Sequence, residues 1–372
     1  MTFITEMPPV LHVEGSPFEM GYTHGSILKD KIRQNIENHL KNPSLSEEAK
    51  VKVQAFAIKV PSILPFIPKK YIEEMEGLSK GADVPFSDIL WLNLFPEMFH
   101  CCAITVHGEA SIDRSLYHAR LLDYAVGKDL QSSAVLLVAK PKDAIPFLSV
   151  TYAGFIGCIT GMNAEKISLG EIGGLGYGKW EGIPMSFLLR SCLEEASSLE
   201  EARTILSSAK RTCEYYYIIG DGKTEESFAC YATPDQISFL PPGKDYCIIP
   251  SSLADKDHQF LTEEPFPLQE TSLLFHQPKD TLLLTGTIAP ERYPILEKRI
   301  LDHYGSINAA SLIDIIKQPV ARTSNLHNAI FHPSSLRVWV AHAGPLGPEL
   351  EPACNQPYHC YCLSDLLSSS SS

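Results

Sequence analysis

Long apolar runs and basic clusters are both missing from this 372-residue chain. A helix that spans a bilayer needs about 20 mostly apolar residues, and the best stretch here, Tyr152–Ile159, is short and interrupted by Gly154 and Gly157. No membrane association is therefore expected. Met1–Val13 also lacks the basic segment and following apolar segment of a secretory signal, and Glu6 and two prolines break it up. The 44 Asp and Glu outnumber the 31 Lys and Arg, giving a net charge of −13. Such a chain has no general attraction for phosphate backbones, so nucleic acid is not an expected partner. The ten cysteines are scattered rather than regularly spaced, which fits thiols in a reducing compartment better than a disulfide framework. A cytoplasmic location is the expectation. Gly170–Gly178 is glycine-rich but has no lysine and hydroxyl residue of a phosphate-binding loop. It reads as a loop near a substrate mouth.

What is present describes a folded protein. Hydrophobic residues make up 44% and charged residues 20%, which excludes wholesale disorder. The first hundred residues read as mostly helical. A turn-rich entry with Gly15, Gly21 and Gly25 precedes an amphipathic stretch, Ser26–Leu40, and further helices are expected at Glu47–Val60, Lys70–Lys80 and Pro85–Phe95. After Phe99 come short strands, then helices at Pro184–Glu195 and Ser198–Ser208, the latter opening with a capping-box pattern. More strands follow, then helices at Glu291–Tyr304 and Ala309–Lys317, and a strand pair at Asn328–His332 and Arg337–His342. This order belongs to a layered α+β domain rather than an alternating parallel sheet. The expected divisions are a helical segment over 1–100, a main domain over 101–365 and a disordered tail over 366–372.

Chemistry is most legible where the texture changes. Cys101 opens a strand, a turn over Gly108–Ser115 returns the chain, and the second strand carries Arg120 and Asp123. A separation of 19 residues suits neighbours across such a hairpin, and an arginine beside a cysteine favours the reactive thiolate. Buried structural cysteines outnumber catalytic ones, so the hairpin alone leaves both roles open.

The segments Cys101-Cys-Ala-Ile104 and Tyr117-His-Ala-Arg-Leu-Leu-Asp-Tyr124 resemble the nucleophile region of the N-terminal-nucleophile cysteine amidases. The nearest branch is the acyl-coenzyme A:6-aminopenicillanate acyltransferase-like family, which is related to acid ceramidase and N-acylethanolamine amidase. Gly15–Gly25, Asp88–Asn93, Gly154–Asn163, Glu291-Arg-Tyr and Asn328–His342 resemble other segments of that family in the same order. The resemblance implies a four-layer αββα sandwich made as an inactive precursor. It implies self-cleavage between His100 and Cys101, with residues 1–100 staying packed as a smaller chain. The freed α-amine, whose reference pKa of about 8 lies far below that of lysine, would act as base beside the thiol. Cys101 would attack the substrate carbonyl, Arg120 would stabilise the thiolate and orient substrate, and Asp123 would hold the new amine. The activity implied is hydrolysis or transfer of the acyl group of a small acyl-amide, with neither metal nor organic cofactor. Self-association into a homo-oligomer stays open.

Three departures from the family pattern stand out. Cys102 occupies a place usually held by Ser or Thr, and a register shifted by one would make it the nucleophile. Ala119 and Leu121 replace a Gly and an Asn. The stretch Cys247–Ser252 lacks the Asn that supplies an oxyanion-hole amide in relatives. The substitutes open to the chain are Ser251, Ser252, a backbone N–H, Asn163 or Asn328. This last departure motivates an alternative, a non-catalytic relative that serves as a binding protein. His118 and His327 read as satisfied interior or rim histidines. Cys354, His359, Cys360 and Cys362 lack the paired spacing of a zinc site and read as part of a loose tail, so no metal is expected.

Overall fold

The computed structural model describes residues 8–41, 59–94, 100–124, 129–248, 273–285 and 290–369. One sheet runs β1 (Val10–Gly15), β4 (Ala134–Pro141), β5 (Phe147–Tyr152), β6 (Thr160–Asn163), β7 (Ile167–Gly178), β8 (Cys213–Asp221), β9 (Glu226–Ala232), β10 (Ile237–Leu240). The other runs β13 (Thr281–Leu284), β2 (His100–Val106), β3 (Tyr117–Asp123), β14 (Asn325–His332), β15 (Arg337–His342), β16 (His359–Cys362). A two-stranded ribbon pairs β11 (Tyr246–Ile248) with β12 (Leu273–Phe275).

The apolar pattern explains why these sheets stack. Side chains alternate across a strand, so a strand that is apolar at every position must be covered on both faces. In β4, Val135, Leu137 and Ala139 enter one core cluster while Leu136 and Val138 enter another. In β8, Tyr215, Tyr217 and Ile219 part in the same way from Tyr216 and Ile218. Leu136, Val138, Leu148 and Val150 meet Ala329, Phe331, Val338 and Val340 of the facing sheet. The outer face of the larger sheet packs against α1 (Pro17–Ile27), α2 (Lys29–His39), α3 (Lys69–Ala82), α4 (Phe86–Leu94), α5 (Met185–Glu195) and α6 (Leu199–Ser208). The smaller sheet is covered by α7 (Tyr293–Asp302) and α8 (Ala309–Ile315). The result is the αββα sandwich that the sequence implied.

Some expectations change. The first hundred residues are not wholly helical, because β1 pairs in parallel with β4 and supplies an edge strand of the larger sheet. Gly170–Gly178 is strand rather than loop. Its glycines serve close approach: a Cβ on Gly170 would lie 2.8 Å from Cγ of Arg120. The C-terminal cysteines do not lie in a loose tail, since β16 closes the smaller sheet against β15. Residues 366–369 finish a helix, α9 (Leu363–Ser369), because Leu363, Leu366 and Leu367 recur at helical spacing and pack on the inter-sheet core. The expected helix Glu47–Val60 lies outside the described residues except for its last two positions.

The glycines of the entry segment acquire a reason in α1. Ser16 caps that helix in a capping box with Glu19, with Pro17 in the first turn. Gly21 and Gly25 then press against α3, where Gly77 and Gly81 answer them. A Cβ on Gly21 would sit 1.9 Å from the main-chain oxygen of Glu74. Alanine gains about 1 kcal/mol over glycine in a helix interior, but forcing two helices apart costs about 1–3 kcal/mol or more. Contact with backbone leaves no side chain to give way, so the clash wins. Gly21→Ala is expected to lower the unfolding free energy by a net of up to about 2 kcal/mol, measured by chemical denaturation.

Candidate active site

Strand alternation decides which cysteine faces what. Cys101 pairs with Leu122, Ala103 with Arg120 and Thr105 with His118 across the β2–β3 hairpin. Directly opposed residues share a face, and the hydroxyl of Thr105 meets that of Ser227 on β9 at 2.8 Å. This face, carrying Cys101 and Arg120, therefore looks toward the larger sheet. Cys102 points the other way and packs with Leu121, Leu283, Tyr293 and Leu296.

Arg120 and Cys101 meet between the sheets. Nη2 of Arg120 lies 2.6 Å from Sγ of Cys101, and the thiol donates to Oε2 of Glu171 on β7 at 3.3 Å. The same Nη2 pairs with Oε2 of Glu171 at 3.1 Å, and Nε of Arg120 donates to the Glu171 carbonyl at 3.3 Å. Thiol, guanidinium and carboxylate are all buried, Cys101 being 2% exposed. Burial raises the Cys101 thiol well above its ordinary value, opposed by the charge of Arg120. Burial also pushes Glu171 up to about 7, again opposed by Arg120. The triad thus holds a protonated thiol beside a carboxylate able to take a proton near neutral pH.

Asp123 lies on the opposite face. It pairs with Arg292, accepts from the main-chain N–H of Arg322 at 3.2 Å and from Nδ2 of Asn325 at 3.1 Å. Arg292 also donates to the carbonyl of Cys101 at 3.0 Å. One guanidinium therefore ties Asp123 to the main chain of Cys101. His100 opposes Asp123 in the strand ladder, so the bond before Cys101 begins the hairpin.

The oxyanion candidates fare differently. Asn163 is not brought to the thiol: its Nδ2 donates to the carbonyls of Leu193 and Ala196, and its Oδ1 accepts from the N–H of Ile167. It pins the β6–β7 turn to the end of α5. Asn328 opposes Leu121 and so faces away from Cys101, meeting Asn325 and the hydroxyl of Tyr358 at 2.9 Å each. Ser251 and Ser252 lie outside the described residues. His327, one position earlier than Asn328, opposes Leu122 and faces the site; its Nε2 lies 3.0 Å from Nη1 of Arg120. Glu171, Arg292 and His327 were not among the residues singled out for catalysis. A lone carboxylate between glycines in an apolar strand was the available signal for Glu171. No group of His, Cys, Asp or Glu that could hold a metal occurs among the described residues, and no described helix is long and apolar enough to cross a membrane.

Residues 117–238, which contain Arg120, Asp123 and Glu171, match the family model described as acyl-coenzyme A:6-aminopenicillanic acid acyl-transferase. Over this part of its length the chain is similar to that family. Protein dcd1B of Dictyostelium discoideum is 26% identical over 353 residues, covering 87% of this chain and 65% of that protein. Acid ceramidase of Homo sapiens is 27% identical over 234 residues, covering 56% of this chain and 58% of the enzyme. Thus the alignments span less than two thirds of either relative's length. A solved structure of the Caenorhabditis elegans N-acylethanolamine-hydrolyzing acid amidase ortholog superposes with a TM-score of 0.47 at 14% identity, covering 63% of this chain and 93% of that one.

Proposed function

We propose that this acyl-transferase relative is a self-processing cysteine amidase or acyltransferase that forms an acyl-enzyme on Cys101. The observation that carries the proposal is the placement of one thiol between Arg120 and Glu171 at the start of a strand. Similarity to a ceramidase and to the acyl-transferase family supports an amide as the bond attacked.

The uncut chain has no free amine at Cys101, so the first cleavage requires another base. Glu171 fills that role. It takes the thiol proton while Sγ attacks the carbonyl carbon of His100, and the proton passes to the departing nitrogen of Cys101. Water then hydrolyses the resulting thioester, leaving His100 with a carboxylate and Cys101 with a free amine. In turnover the amine serves as base, Sγ takes the acyl group from the substrate, and water or an acceptor amine releases it. Arg120 stabilises the sulfur anion throughout. Residues 1–100 become the small chain, held by the β1–β4 ladder and by ion pairs between α3 and α5.

A denaturing intact-mass spectrum of the purified protein tests this. Two chains are expected, the larger beginning at Cys101. A larger chain beginning at Cys102 would keep the mechanism and move the nucleophile. A single intact chain, with Cys101 no more reactive than its neighbours, would favour the non-catalytic binding protein.

A further inference from the structure

The guanidinium of Arg120 can only donate hydrogen bonds. Its Nη1 lies 3.0 Å from Nε2 of His327, so that ring nitrogen carries no proton and accepts. The hydroxyl of Thr160 on β6, 3.1 Å from the same nitrogen, is then also a donor to it. In a neutral imidazole the proton must sit on Nδ1, which lies 2.8 Å from the hydroxyl of Tyr152 on β5 and donates to it. The tautomer follows from the network rather than from the ring alone. Three residues from three strands thereby fix one lone pair, and that lone pair faces Arg120. All four side chains are buried, Arg120, His327 and Thr160 completely.

We infer that His327, held by Tyr152 and Thr160, is a positioning residue that aims Arg120 at the Cys101 thiol. The inference rests on Cys101 being the nucleophile of the proposed function. Nε and Nη2 of Arg120 engage the carbonyl and carboxylate of Glu171, and Nη2 also reaches the thiol. Nη1 is the corner that His327 holds. Without that acceptor the guanidinium is free to turn toward Glu171 and withdraw Nη2 from sulfur. The imidazole also has to stay neutral, because a proton on Nε2 would set donor against donor. Burial, the neighbouring charge of Arg120 and the nearby ring of His342 hold its pKa well below the ordinary value.

Side-chain reach supplies the test. Glutamine can place an amide oxygen where Nε2 sits, whereas asparagine reaches only the position of Nδ1. In the full-length protein, two readouts are followed for His327→Gln, His327→Asn, His327→Leu and Tyr152→Phe. One is the rate at which the two chains appear. The other is the rate of iodoacetamide alkylation at Cys101 across pH, located by mass spectrometry. The Asn and Leu variants are expected to slow both by about 10²-fold, as for a misplaced catalytic group, with the alkylation midpoint moved to higher pH. The Gln variant is expected to stay within about tenfold of wild type, and Tyr152→Phe to fall between. Equal rates and equal pH midpoints in all four variants would overturn the inference. So would an equal loss in the Gln, Asn and Leu variants, which marks a purely structural residue. If a leucine variant fails to fold, the Gln-against-Asn comparison and Tyr152→Phe still decide. A wild-type chain that never cleaves would count against self-processing alone, since the alkylation profile still reports where Arg120 sits.

Discussion

Cys101→Ala is expected to yield one uncut chain without turnover, while Cys102→Ala is processed and active. The two residues are neighbours with the same side chain, yet they lie on opposite faces of β2. Cys101 meets Arg120 and Glu171 between the sheets, and Cys102 packs among apolar side chains under α7. Burial raises both thiols, Cys102 to about 12. What distinguishes them is contact: Cys101 has a guanidinium on its sulfur and a carboxylate to receive its proton. Loss of a nucleophile that works as a unit with its partners costs on the order of 10⁶ in kcat in comparable enzymes, so background hydrolysis is all that should remain. Cys102→Ala removes a sulfur atom from a packed core and should cost about 1–2 kcal/mol of stability instead. Intact mass and a panel of N-acyl amines, assayed on both variants, check the pair. A processed and active Cys101→Ala protein would falsify the assignment.

The second large effect concerns stability. Arg190 of α5 is buried and binds Glu74 of α3 through two nitrogens, at 2.9 and 2.6 Å. It also bonds Glu194 at 2.8 Å and the carbonyl of Ile156 at 2.7 Å. Tyr71 and Lys70 of α3 reach Glu194 as well, at 3.1 and 2.7 Å. Arg190→Ala would strand Glu74, a buried carboxylate, without its cation. Removing one partner of such a pair costs about 3–5 kcal/mol, a large share of a typical 5–15 kcal/mol. Measured in the uncut Cys101→Ala background, the added substitution is expected to lower the denaturation free energy by that amount. Once the wild-type chain is cut as proposed, the same contact joins two separate chains. Arg190→Ala there is expected to release the small chain on size-exclusion chromatography, whereas wild type elutes as one species. Co-elution with unchanged stability would remove this cluster from the account.

The same geometry separates what was legible in the sequence from what was not. Cys101, Arg120 and Asp123 belong to one hairpin, so their association is local and a linear motif can carry it. The capping residue Ser198 was likewise visible, because a helix start depends on residues three apart, whereas the cap at Ser16 emerged only with α1. The paired glycines of α1 and α3 stood in the sequence without a partner until the helices crossed. Residues 1–100 read as mostly helical, and β1 within them takes its place from pairing with β4 more than a hundred positions later.

Function at the thiol divides along the same line. By itself the sequence determined a cysteine with an arginine and an aspartate across a short turn, and the layered α+β order that buries them. Tertiary structure decided the rest. Glu171 lies 70 positions from Cys101 and His327 lies 207 from Arg120, and neither distance leaves a periodic trace. Which of Cys101 and Cys102, and which of His327 and Asn328, faces Arg120 turns on a single residue of strand register. Side chains alternate with a period of two, so one position separates the face between the sheets from the helical layer. That register is fixed by ladders between strands far apart in the chain, which a sequence read along its length does not contain.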